Sequence, residues 1–176
     1  MLSELGVEFD VVDIDCEETY DLSMPVREVA KYLAEKKSNA YQPLQPGELL
    51  LTADTTVVLG NEILGKPEDR DDALAMLNRL SNNTHHVITG VCLRTTEKTI
   101  AFDESTEVHF SKIPLEAATY YVDNYKPYDK AGSYGIQEWI GENYIQKIIG
   151  SYHNVVGLPI RTLSNILRDN FNMLSS

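Results

Sequence analysis

The chain has 176 residues and a formal net charge of −12, with 15 lysines and arginines against 27 aspartates and glutamates. A surface of that sign repels nucleic-acid backbones and anionic membranes, and no basic face is visible to offset it. Both partner classes are therefore excluded, while a small phosphate ligand stays open wherever a few lysines converge.

Hydrophobic residues make up 43 % of the chain and charged residues 24 %, the balance of a folded domain with a sizeable core. Two cysteines, Cys16 and Cys92, stand far apart with no CxxC or Cys/His cluster. That argues against a structural zinc site and fits a reducing compartment. The opening Met1 to Gly6 carries no basic n-region. No apolar stretch approaches the ~20 residues of a membrane span. One cytoplasmic domain spanning residues 1–176 is expected.

Val7 to Ile14 is valine-rich and reads as a strand, followed by an acidic loop from Asp13 to Asp21. Ser23 is placed to cap a helix with Pro25 in its first turn, and Val26, Val29, Ala30, Leu33 and Ala34 follow helical spacing. That helix should fade near Asn39. Leu49 to Leu59 reads as a β-branched strand containing one acid, Asp54, and Ile63-Leu64 resumes an extended piece after a Gly60-Asn61 turn.

Pro67 is expected to open a helix with acids in its first turn, buried along Ala73, Leu74, Leu77 and Leu80. His86 to Leu93 and Thr99 to Phe110 read as two strands, the second with a break near Asp103-Glu104. Pro114 begins a helix burying Ala117, Ala118, Tyr121, Val122 and Tyr125. Lys126 to Gly141 reads as irregular, Tyr144 to Ile149 as a strand, and Pro159 starts the last helix, with Ile160, Leu163, Ile166, Leu167 and Phe171 apolar. Uneven alternation with adjacent central strands predicts a mixed-sheet α/β fold.

Four places draw attention as chemistry. Asp54 sits in an apolar strand, where an acid is costly unless paired, hydrated or metal-bound. Alone it reads better as a strand-end acid that caps a turn or reaches solvent, but Thr52, Thr55 and Thr56 flank it and suggest a polar strand end at a pocket. Gly65-Lys66-Pro67 places a lysine before a helix N-terminus, where an anion is favoured; a surface turn is as good a reading. The Tyr128 to Gln137 loop combines glycines, Lys130 and a glutamine that reads as buried, whose amide offers a base edge both a donor and an acceptor; an ordinary connection is the alternative. Gly150 to Pro159 joins a strand to a helix, with His153 read as a hydrogen-bonded structural residue. His85 and His86 lack metal-ligand spacing, and His109 reads as a strand-surface residue. No P-loop, GxGxxG, HExxH or GxSxG pattern occurs. These residues alone reach an α/β protein with a phosphate pocket.

Together, Ala53-Asp54-Thr55, Gly65-Lys66-Pro67, Asp129 to Gln137 and Gly150 to Pro159 resemble the signature blocks of the Maf family, in that family's order. Leu33-Ala34-Glu35-Lys36-Lys37 resembles its Leu-Ala-x-x-Lys helix. The likeness runs from about Leu5 to the last helix.

The resemblance implies an inosine-triphosphatase-like α/β fold, a mixed sheet flanked by helices, in an often dimeric protein. It implies hydrolysis of nucleoside triphosphates to the monophosphate and pyrophosphate, with a divalent cation, magnesium or manganese. Asp54 matches the family's proton acceptor. Lys37, Lys66 and Lys130 match its phosphate-pocket lysines, and Glu18, beside Glu17, matches a metal-associated acid that joins Asp54. Thr55 and Gln137 match members resembling dTTP/UTP pyrophosphatases. The alternative function is a nucleotide-binding regulator of septum formation without turnover. Family members begin with a strand leading to a Ser-x-Ser-Pro-Arg-Arg loop and a Leu-Leu-x-x-Leu-Gly helix; this chain opens at Met1-Leu2-Ser3-Glu4-Leu5-Gly6, within that last match. The expectation is a sheet without the first strand and a pocket without the arginine clamp.

Overall fold

The computed structural model describes residues 1–173. Five strands form one sheet in the order β2-β1-β3-β4-β5: β1 (Leu50–Leu59), β2 (Glu62–Leu64), β3 (Thr84–Arg94), β4 (Thr99–Phe110) and β5 (Ile145–Ile149). Helices α1 (Val29–Ala40), α2 (Arg70–Leu80), α3 (Leu115–Tyr125), α4 (Trp139–Tyr144), α5 (Tyr152–Val156) and α6 (Ile160–Phe171) flank it. The expected α/β class stands, and all four strand pairings among the described residues are antiparallel.

Side-chain alternation divides the sheet into two faces. Even-numbered positions of β1 and β3 face α1, where Ala30, Val58 and Ile88 pack together. The opposite face carries two apolar clusters. One joins Val57, Val87, Val108 and Phe110 to Ala73, Leu77 and Leu80 of α2 and to Ala118, Tyr121 and Val122 of α3. The other joins Val91 and Leu93 to Leu163 and Leu167 of α6. Between them runs a polar seam, Thr55, Thr89 and Thr106, closed by Asn154 of α5.

Several expectations change in detail. Val7 to Ile14 forms no strand; these residues pair with nothing among the described residues, and Val11 is 85 % exposed. Apolar β-branched content favours a strand only where a partner edge receives it. The first long helix starts at Val29, because the Ser23 backbone N–H and hydroxyl both donate to Asp21 Oδ1, at 2.8 and 2.7 Å. That local turn uses the side chain that would have capped a helix at residue 23.

Helix α2 begins at Arg70 rather than Pro67, because Asp69 caps it by accepting from Asp72 N. Strand β4 runs unbroken through Asp103 and Glu104, since both acids find partners: Asp103 lies 3.7 Å from Lys31 Nζ, and Glu104 accepts from Thr162 at 2.5 Å. Tyr125, expected in the α3 stripe, is 39 % exposed.

Candidate active site

The site forms along β1. Strand β2 covers only Val57 to Leu59, so the edge upstream has no strand partner on that side among the described residues. A cavity of about 570 Å³ opens there and wraps the edge, reaching both sheet faces. Glu18, Lys37, Asp54, Thr55, Lys66, Lys130 and Gln137 all line it. Three lysines thus converge in a chain of net charge −12.

Helix α1 approaches the sheet closely enough to deliver Lys37 because Gly90, opposite Asp54 in β3, has no side chain. A Cβ at Gly90 would stand 2.3 Å from Lys31 N and 2.4 Å from the Ala30 carbonyl. Thr52 holds the same helix by donating to the Ala34 carbonyl at 2.7 Å. Lys37 Nζ then lies 2.6 Å from Asp54 Oδ1 and 2.8 Å from Glu18 Oε1. Glu18 belongs to the irregular segment before α1, and Lys36 steadies that segment by donating to Thr19 O and Oγ1, both at 2.8 Å. Glu18, not Glu17, therefore faces the cavity.

The other two lysines sit across the opening. Lys66 lies 3.7 Å from Glu18 Oε2 and is 58 % exposed. Gly132 N donates to the Gly65 carbonyl at 3.0 Å, which ties the Lys66 turn to the Lys130 loop. Gly132 has φ +69, and a Cβ there would press on Val57 at 2.9 Å, so the loop needs glycine for two reasons. Lys130 Nζ lies 2.9 Å from Asp129 Oδ1 and 3.3 Å from Glu138 Oε1. Glu138 also accepts a short hydrogen bond from the Tyr121 hydroxyl, which accepts in turn from Gly135 N at 3.1 Å.

Burial pushes the Asp54 carboxyl above the usual aspartate range; Lys37 works against this and Glu18 with it. Hydrogen bonding to Lys37 holds Glu18 below the usual glutamate range. Burial opposes the charge on Lys37, but the carboxylates of Asp54 and Glu18 outweigh it and hold the ammonium above its ordinary value. Lys130 behaves likewise, with Asp129 and Glu138 outweighing burial. The result is one carboxylate with raised proton affinity near two lysines, Lys37 and Lys130, whose charged forms are favoured.

Two expectations about side chains are corrected. Gln137 is exposed at the cavity rim, because it lies in the turn that Glu138 N closes on the Gly135 carbonyl at 3.1 Å, in which Ile136 takes the buried place. His153 is exposed and makes no side-chain hydrogen bond among the described residues; the buried polar residue of that block is its neighbour Asn154, which donates to the Val87 carbonyl and Thr106 Oγ1, both at 3.0 Å. Thr89, Tyr121, Glu138 and Gly90 were not singled out in the sequence. Only Gly90 carried a signal, a glycine inside an otherwise β-branched strand.

Among the described residues no three His, Cys, Asp or Glu side chains cluster as a ready metal cage. Glu18 and Asp54 supply two carboxylates on one ammonium. A hard divalent cation typically takes one or two carboxylates and completes its shell with phosphate oxygens and water. The donor set fits such a cation.

The profile of the family described as Maf-like protein matches residues 1–170. The chain belongs to that family. It is 53 % identical over 156 residues to a dTTP/UTP pyrophosphatase of Flavobacterium psychrophilum, covering 88 % of this chain and 80 % of that protein. It is 45 % identical over 170 residues to a dTTP/UTP pyrophosphatase of Bacteroides thetaiotaomicron, and 46 % identical over 170 residues to one of Parabacteroides distasonis. Each of those two alignments covers 96 % of this chain and 88 % of the relative. The four Maf-like blocks are the segments that the fold gathers around the β1 edge. No helix among the described residues is long and apolar enough to cross a membrane.

Proposed function

We propose that this Maf-family chain hydrolyses dTTP and UTP between the α and β phosphates, giving the nucleoside monophosphate and pyrophosphate. The observation that carries the reading is the position of Lys37 between Asp54 and Glu18, in one cavity with Lys66 and Lys130. The names of the relatives support the substrate class. Nothing in the site favours a binder without turnover.

Asp54 is the proton acceptor for the attacking water. Its burial gives it a proton affinity above that of an ordinary aspartate, which strengthens it as a base. Lys37, Lys66 and Lys130 bind the triphosphate and offset the charge that builds on the departing pyrophosphate. The Tyr121–Glu138 hydrogen bond holds the loop carrying Lys130 and Gln137 in place before substrate arrives. Thr55 and Gln137 face the base. Glu18 and Asp54 would hold a magnesium or manganese ion, which supplies charge neutralisation on the phosphates when bound. Lys37 occupies both carboxylates in the absence of substrate and screens their mutual repulsion.

The test is pyrophosphate release from UTP, dTTP, ATP and GTP with magnesium or manganese. The pyrimidine nucleotides should be used well and the purine nucleotides poorly. Equal use of ATP and UTP would contradict the substrate assignment.

A further inference from the structure

We infer that Thr89, through the carbonyl of Asn154, fixes Thr55 as a pure hydrogen-bond acceptor, and that this polarity makes the site accept uracil and thymine and refuse cytosine. The inference rests on the proposed nucleotide site and adds to it the basis of choice among pyrimidines.

A threonine hydroxyl has one proton to give and two lone pairs to receive. Thr89 is fully buried, and its proton goes to the Asn154 carbonyl at 2.9 Å. The 2.8 Å contact between Thr55 Oγ1 and Thr89 Oγ1 must then run from Thr55 to Thr89. The Thr55 proton is spent inside the protein, and only its lone pairs remain for a ligand.

Asn154 cannot easily turn away. Its side-chain amide donates to the Val87 carbonyl and to Thr106 Oγ1, both at 3.0 Å, and its N–H donates to Ser151 Oγ at 3.2 Å. The whole relay lies in the polar seam between the two apolar clusters.

Gly157 lies beside Thr55 in the cavity wall: a Cβ at 157 would stand in van der Waals contact with Thr55 Oγ1, at 3.6 Å. Thr55, Gly157 and Gln137 line the same cavity.

Uracil and thymine carry a donor, N3–H, in the middle of their pairing edge; cytosine carries an acceptor there. A lone-pair-only hydroxyl bonds the first and opposes the second. The Gln137 amide offers both a donor and an acceptor and is exposed, so it can turn to suit either base edge. The fixed group therefore makes the choice. Opposing two acceptors in a partly buried site weakens binding by roughly 10- to 100-fold.

The experiment measures UTP and CTP affinity by calorimetric titration in an Asp54→Asn background, which separates binding from turnover. The parent should prefer UTP by roughly 10- to 100-fold. Thr89→Val removes the internal acceptor, frees the Thr55 proton to turn into the cavity, and should bring the two affinities near parity. Thr89→Ser keeps the hydroxyl and should keep the preference, a rescue that a merely structural role would not give. Thr55→Val, which leaves the buried relay residues in place, should also abolish the preference. The proposal is overturned if the parent shows no preference, or if folded Thr89→Val or Thr55→Val retains it. A chain that shows the affinity pattern but releases no pyrophosphate in its Asp54 form contradicts the hydrolytic reading alone.

Discussion

Lys37 Nζ stands 2.6 Å from Asp54 Oδ1, and the two groups come from elements brought together only by the close seating of α1 on the sheet. Burial raises the proton affinity of Asp54 while Lys37 lowers it. Lys37→Met should therefore act in two ways. Turnover should fall by roughly 10²- to 10³-fold through loss of a cation at the phosphates. The acid limb of the pH–rate profile should move to higher pH, because burial and Glu18 then act on Asp54 with only Lys66 opposing them, and the base must still be deprotonated to work. Steady-state kinetics across pH checks both. An acid limb that moves downward would contradict the assignment of Asp54 as base.

Gly90→Ala tests the seating of the helix. The added Cβ meets the backbone of Ala30 and Lys31, which cannot give as a side-chain tip would. Overpacking of this kind costs about 1–3 kcal/mol. The substitution should lower stability by that order and, by lifting α1, separate Lys37 from Asp54 and reduce kcat. Denaturant unfolding and kinetics read the two effects. Unchanged stability with unchanged kcat would show that the contact yields freely.

Tyr121→Phe tests the brace under the Lys130 loop. The hydroxyl donates to Glu138 and accepts from Gly135 N, so its removal leaves the buried Gly135 N–H unpaired. A loss of about 1–3 kcal/mol in stability is expected. KM for UTP should rise more than kcat falls, because the loop carries binding groups. A fall in kcat with unchanged KM would point to a different role.

The clearest links between sequence and site lay in runs of chemistry-bearing residues. Asp54 was legible because an acid inside Leu-Leu-Leu-Thr-Ala-Asp-Thr-Thr-Val-Val needs a reason, and Lys66 and Lys130 because each stands beside glycine-rich turns. The helices were legible from apolar spacing at Leu77 and Leu80 or at Leu163 and Leu167. Thr89 and Tyr121 were not, because a buried threonine in a strand and a tyrosine on a helix stripe both look like ordinary core until their hydrogen-bond partners are known. Residues 7–14 misled for the converse reason: their β-branched content is local, whereas a strand depends on a neighbour's edge. Gln137 misled because its small and apolar neighbours suggested burial, whereas in the turn closed from Glu138 to Gly135 it is Ile136 that is buried and Gln137 that faces out.

His85 predicts a pH dependence of stability. It is fully buried, stacked on Phe110, and joined to the Tyr134 hydroxyl at 2.7 Å. Burial pushes its imidazole from 6.5 down to about 3. The neutral ring is thus favoured in the fold, while the unfolded chain takes up the proton at ordinary histidine pH. The stabilisation is complete above pH 6.5 and is lost as pH falls toward 3. Over that window the slope from this group approaches about 1.4 kcal/mol per pH unit. His85→Phe should flatten the slope of unfolding free energy between pH 6 and 5, whatever it does to absolute stability. An unchanged slope would contradict the buried neutral imidazole as its source.

The central claim is that Asp54 is the base for cleavage between the α and β phosphates of a pyrimidine nucleoside triphosphate. Phosphorus-31 NMR of UTP incubated with the protein and with Asp54→Asn, side by side and with both confirmed folded, tests it most directly. UMP and pyrophosphate should accumulate with the native chain, at a rate roughly 10²- to 10⁴-fold above that of the variant. UDP and orthophosphate as products, or equal rates from the two proteins, would contradict it.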